Sequence, residues 1–127
     1  MPLSIHKDAP GAHRAAVAAG KQGKFWEFHD KLFSDQRNLK PDAFNKYAEE
    51  LGLDMVQFAK DSLDPGTQSS IDTDTKEAGG LGVTGTPGFF VNGRFLRGAK
   101  PFEEFAAIIN DELKKKGIAI PSEAQTD

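Results

Sequence analysis

One stretch, Gly85-Thr86-Pro87-Gly88-Phe89-Phe90-Val91-Asn92-Gly93-Arg94-Phe95-Leu96, restricts what this chain can fold into more than any other. Asn92-Gly93 asks for a two-residue type I′ turn, because both central residues of that turn need positive φ and these two tolerate it. Phe89 to Val91 are therefore expected to pair with Arg94 to Leu96. Pro87 has no N–H to give to a ladder, so it fits only at the start or the edge of the first strand. Gly85 and Gly88 leave the backbone around Thr86-Pro87 free to turn sharply and let a second chain come close.

Nearly everything before this hairpin reads as helix. Asp8 is the expected N-cap of an alanine-rich helix through Ala19, ended by Gly20. Leu3-Ser4-Ile5-His6 before it reads as a short extended segment or the stub of one. A second helix over Lys24 to Gln36 carries Phe25, Trp26, Phe28, His29, Leu32 and Phe33 at helical spacing, and this aromatic face is expected to be the heart of the core. Pro41 opens a third helix that turns Phe44, Tyr47, Ala48 and Leu51 inward and stops at Gly52. Asp54 caps a fourth, with Val56 or Met55, Ala59 and Leu63 facing in. Asp64-Pro65-Gly66 turns the chain, and Thr67 to Ala78 forms a polar fifth helix with Ile71 as its one large apolar residue. After the hairpin, Pro101 opens a last helix with an apolar stripe of Phe102, Phe105, Ala106, Ile109 and Leu113. Lys114-Lys115-Lys116 favours its C-terminal end through the helix dipole, Gly117 ends it, and 118–127 reads as a tail. The result is a mostly helical α/β chain of one domain. A lone hairpin is not stable in water without further strands or a packed helix, so the sheet looks incomplete.

Composition narrows the function classes. With 127 residues, 38% apolar and 28% charged residues, the chain suits a globular domain with a modest core. A net charge of −3 offers no broad basic face for nucleic acid. No apolar run approaches the roughly 20 residues of a membrane span, and Met1-Pro2-Leu3-Ser4-Ile5-His6 lacks the basic and apolar regions of a signal peptide. There is no cysteine, which excludes disulfides, thiolate metal sites and cysteine nucleophiles within these residues.

Most candidate chemistry then falls away. Gly80-Leu81-Gly82-Val83-Thr84-Gly85 matches G-x-G-x-x-G, yet that motif binds a dinucleotide only after a strand and at the opening of a helix. Here a helix precedes it and Pro87 and a strand follow, so it reads as a flexible connection. His6, His13 and His29 are spaced unlike metal ligands. Asp30, Asp35, Glu49, Glu50, Glu103 and Glu104 fall on outer helix faces as solvated charge, not as paired acid and base. Ser4, His6 and Asp8 alternate in an extended segment without relay order. No cofactor or metal is expected.

The remaining candidate is Thr86-Pro87. Pro2-Leu3-Ser4-Ile5-His6, Gly23-Lys24-Phe25-Trp26-Glu27-Phe28-His29-Asp30-Lys31-Leu32-Phe33, Ala48-Glu49-Glu50-Leu51-Gly52-Leu53-Asp54 and Leu81-Gly82-Val83-Thr84-Gly85-Thr86-Pro87-Gly88-Phe89-Phe90-Val91-Asn92-Gly93 together resemble the DsbA-like branch of the thioredoxin-fold thiol–disulfide oxidoreductases. They run in that family's order and cover nearly everything from Pro2 to about Lys115. The resemblance implies a partial thioredoxin-like fold: a helical insertion over about 8–80, then a hairpin entered through a cis-proline and a closing helix over about 81–117. By position Pro87 resembles the cis-proline and Thr86 the residue whose backbone pairs with an extended substrate polypeptide, with Gly85 beside them. Strand addition to free main-chain groups is the physical form of such docking. It further implies a periplasmic or other extracytoplasmic setting.

The chain departs from the family where the chemistry begins. The reactive thiolate, its partner thiol and the helix N-terminus that lowers the thiol pKa belong to a first βα unit that these residues lack. The favoured expectation is a portion of a thiol–disulfide oxidoreductase whose Cys-x-x-Cys unit lies outside the sequence, because Leu3-Ser4-Ile5-His6 resembles the end of the family's second strand. The alternative is a cysteine-free peptide-binding or chaperone-like module. A purely helical interaction domain ranks third, and glutathione transfer lower still, since the helices precede the Thr-Pro hairpin. Either leading reading leaves an open sheet edge, so self-association through it, or pairing with a missing N-terminal segment, is expected.

Overall fold

The computed structural model describes residues 1–121. They form five helices, α1 (Ala9–Lys21), α2 (Phe25–Ser34), α3 (Pro41–Glu50), α4 (Met55–Leu63) and α5 (Pro65–Gly80), then strands β1 (Gly88–Val91) and β2 (Arg94–Arg97) and helix α6 (Phe102–Lys115). The chain divides into two compact units, Met1–Gly82 and the part from Val83 on.

In the first unit the alanines of α1 set the packing distance. Ala12, Ala15, Ala16, Ala18 and Ala19 are all buried, and their small side chains let α2, α3 and α4 approach closely. Against them sit Phe28, Phe44, Tyr47, Ala48, Leu53 and Phe58. Phe28 is fully buried at the centre, edge-on to Tyr47 at 6.1 Å and tilted on Phe58 at 5.7 Å. Burying one such ring contributes roughly 1.5–3 kcal/mol. A polar cluster ties α1 to α4 and α5: the exposed Lys21 Nζ reaches buried Asp61 at 3.4 Å and buried Thr67 Oγ1 at 3.0 Å, and the Thr67 hydroxyl donates to the Asp61 carbonyl at 2.7 Å.

Several local expectations change. Leu3–His6 is a turn, closed by the His6 N–H on the Leu3 carbonyl at 3.0 Å, and no strand lies beside it among the described residues to make it a ladder. Asp8 precedes α1 without a side-chain cap; its carboxylate pairs with Lys40 at 2.7 Å instead. Helix α1 runs past Gly20 to Lys21, and Gly23 takes the positive φ that turns the chain. Pro65 and Gly66 are the first residues of α5, not a separate turn, because the Asp64 carboxylate caps them by accepting the Gly66 N–H.

The core of α2 is one ring, not an aromatic face. At about 100° per residue its aromatic arc spans roughly 160°, wider than one neighbouring layer covers. Phe28 enters the core and Leu32 packs against it, while Phe25, Trp26 and Phe33 stay exposed. They stack with His29 along the outer face: Trp26 and His29 lie 5.3 Å apart, His29 and Phe33 4.6 Å. In α4 the inward residues are Met55, Phe58 and Asp61, whereas Val56 and Leu63 are each 82% exposed.

In the second unit β1 and β2 pair antiparallel, with Phe89 opposite Leu96, Phe90 opposite Phe95 and Val91 opposite Arg94. Asn92 and Gly93 both have positive φ, as a type I′ turn requires. Phe90 stacks on Phe95 at 5.0 Å across the strands, and Phe89 meets Phe105 of α6 edge-on at 4.9 Å. The expected stripe on α6 is not buried: Phe105 is half-buried on the hairpin, while Phe102 is 79% exposed. Gly117 has positive φ and ends α6 as expected. Of the tail assigned to 118–127, residues 122–127 lie outside the described ones.

Candidate functional site

Gly80 is the last residue of α5, so the glycine-rich stretch 80–85 follows a helix and leads into β1. That is the reverse of a dinucleotide-binding turn, in which phosphate sits at the start of a helix. The histidines do not converge. His13 donates from Nδ1 to the Ala9 carbonyl at 2.8 Å, and burial lowers its pKa; His29 lies in the aromatic stack of α2. Among the described residues no group of three His, Asp or Glu side chains is placed to hold a metal ion. Of the carboxylates singled out, Glu50 pairs with Lys31 and Glu104 lies near Lys100, both at the surface. Asp30 pairs with its neighbour His29 at 3.1 Å. None forms an acid–base pair.

Gly85, Thr86 and Pro87 form the bend leading into β1, and the Thr86–Pro87 peptide bond is cis. Thr86 and Pro87 are both exposed. The Pro87 carbonyl accepts the Gly98 N–H at 2.9 Å, which fixes the bend to the far end of β2. Among the described residues neither the N–H nor the carbonyl of Thr86 has a backbone partner. Beyond it, among the described residues β1 is paired on one side only, in a sheet of two strands. Its other edge presents main-chain groups with no ladder partner, flanked by the exposed rings of Phe89 and Phe90. Gly88 packs tightly here: a Cβ would stand 3.2 Å from the Val83 side chain and 3.3 Å from the Phe95 ring, so both would have to give by a few tenths of an ångström. Arg97 extends over the Phe95 ring at 5.7 Å and places the one positive charge of β2 nearest the bend, with Nη1 3.5 Å from the Thr84 hydroxyl. Arg97 was not singled out from sequence, although the cross-strand register that follows from Asn92-Gly93 puts it opposite Gly88.

Among the described residues this edge carries main-chain groups with no partner. The chain contains no cysteine, so these residues hold no thiol.

Comparison with known proteins bears on the family and the fold. The family model described as DSBA-like thioredoxin domain matches residues 1–110. A crystal structure described as a thioredoxin-like oxidoreductase from Silicibacter pomeroyi DSS-3 superposes with a TM-score of 0.73 at 29% identity, covering 87% of this chain and 64% of that one. Among curated proteins, Na(+)/H(+) antiporter NhaA 3 of Salinispora tropica is 40% identical over 110 residues, 86% of this chain and 17% of the relative. Na(+)/H(+) antiporter NhaA of Herminiimonas arsenicoxydans is 37% identical over 115 residues, 91% of this chain and 18% of the relative. The chain thus spans less than a fifth of these curated relatives. Among the described residues no helix is long and apolar enough to cross a membrane.

Proposed function

Because this chain belongs to the DSBA-like thioredoxin domain family and has a thioredoxin-like fold with a helical insertion, we propose that it supplies the polypeptide-docking half of a thiol–disulfide oxidoreductase. In this reading an extended substrate segment lies along the free edge of β1. It pairs with the N–H and carbonyl of Thr86, and Pro87 and Gly85 hold that residue in place. The reacting cysteine pair is carried by a segment outside these residues, and the docked strand brings the substrate disulfide or thiols to it. The observation that carries the reading is the pair of unpartnered main-chain groups at Thr86 beside an open strand edge. Main-chain pairing of this kind is indifferent to substrate sequence, as an enzyme acting on many polypeptides requires. The antiporter name of the curated relatives is not carried over, because the match spans under a fifth of their length.

The test is a titration of the chain with an unstructured, cysteine-free polypeptide, followed by backbone amide shifts. Shifts are expected at Gly85 to Val91. Thr86→Val keeps the N–H and should bind as the parent does, whereas Thr86→Pro removes the donor and should weaken binding at least tenfold with the β1–β2 turn intact. Binding that maps to other surfaces, or that survives Thr86→Pro, sinks the reading. Shifts at the same edge that grow with protein concentration alone would mean that the edge pairs with a second copy.

A further inference from the structure

The first unit contains an open groove between α1, α3 and α4, with a volume of about 250 Å³. Its floor is made by the buried rings of Phe44 and Phe58, and its rim includes Leu63, an apolar side chain 82% exposed and unused by the core. Asn45, on α3, also lines it. The one charged group lining it is Arg14, half-buried on α1. Arg14 Nη1 donates to the Gln68 amide oxygen at 3.1 Å, and Gln68 in turn donates to Asp72 at 2.8 Å. The guanidinium is therefore oriented by a neutral amide and joins no ion pair among the described residues. Its Nη2 hangs 3.9 Å from where a Cβ would stand on Gly11, so the missing side chain of Gly11 keeps the approach to the charge open.

The geometry points to a binding site for a small organic carboxylate that carries one ring or short chain. An uncompensated cation at the wall of an apolar groove is costly, and a carboxylate meets a guanidinium fork in two parallel hydrogen bonds. The size argues for a small ligand: a cavity of about 150 Å³ takes benzene, and sites for larger molecules run from roughly 300 to 1,000 Å³. The site lies wholly in the helical unit and is independent of docking at Thr86.

The test uses 4-phenylbutanoate and its neutral analogue 4-phenylbutanol, titrated into the whole chain and followed by backbone amide shifts. The acid should give saturable shifts at Gly11, Asn45 and Leu63, and the alcohol should bind at least about tenfold more weakly, as loss of a charge-assisted pair predicts. Arg14→Gln should abolish that preference, and Arg14→Lys should keep part of it. Gly11→Leu places a good helix former in the groove and should block both ligands; if it does not fold, the Arg14 pair decides alone. Equal binding of acid and alcohol, an unchanged affinity in Arg14→Gln, or shifts confined to another surface overturns the proposal. Binding of a peptide with a C-terminal Phe where the acid fails does so as well.

Discussion

The side-chain amide of Asn92, at the tip of the hairpin, donates to the Glu112 carboxylate of α6 at 2.7 Å. Arg94 and Lys115 reach the same carboxylate at 3.1 and 3.0 Å; Asn92 and Arg94 fasten the hairpin to the helix, while Lys115 pairs with Glu112 from within α6. These bonds, Asn92 first, hold the Glu112 pKa down to about 2 from an ordinary 4.5. A carboxylate depressed in the folded state adds stability that is complete above its unfolded pKa and lost as pH falls through the folded one. The hairpin should therefore loosen between about pH 4.5 and 2. Amide exchange at Val91 and Arg94 against pH measures this, and Glu112→Gln should flatten the profile. An unchanged profile in that variant means the fastening contributes nothing.

Phe58 and Val56 make opposite predictions although both lie on α4. Phe58 is 2% exposed against Phe28, so Phe58→Ala should cost about 3–5 kcal/mol through lost burial and a cavity. Val56 is on the outer face, and Val56→Ala should change stability by less than about 0.5 kcal/mol. Urea unfolding of the two variants compares them directly.

That contrast shows what could be read from the sequence and what could not. At about 100° per residue Met55 and Phe58 define one face of α4, and Val56, Ala59 and Leu63 another, with nothing local to choose between them. The aromatic core formed with Phe28 and Tyr47 makes the choice, and that is information from distant residues. The same rivalry left Trp26 and Phe33 outside on α2. Signals that act within a few residues were readable: Asn92-Gly93 for the hairpin, Pro41 and Gly52 for the ends of α3, Asp54 for the cap of α4. Thr86-Pro87 stood out for the same reason. The Arg14 groove did not, because it draws on three helices far apart in the chain.

Two aspartates that look alike in sequence should behave differently. The Asp54 carboxylate accepts the Gln57 N–H at 2.9 Å, and its backbone N–H and carbonyl are both held by the Gln22 side chain. Asp54→Ala removes a true N-cap and should cost about 1 kcal/mol. The Asp8 side chain makes no cap bond and forms an exposed ion pair with Lys40, so Asp8→Ala should cost well under that, and less still in high salt. Denaturation midpoints for both at low and high ionic strength separate the two roles.

Trp26 is the chain's only tryptophan, so its fluorescence reports one site. It is 68% exposed and meets Phe25 and His29 in T-shaped contacts along the outer face of α2. Such aromatic contacts contribute about 0.5–1.5 kcal/mol, far less than burying a ring in the core. Trp26→Ala should therefore cost about 1 kcal/mol or less, whereas Phe28→Ala, three-dimensionally on the other side of the same helix, should cost about 3–5 kcal/mol. In dilute solution acrylamide should quench Trp26 nearly as well in the folded chain as in urea. Strong protection of Trp26 that persists on dilution would mean that this face is covered within one molecule, and the division of α2 into a buried and an open side would fall.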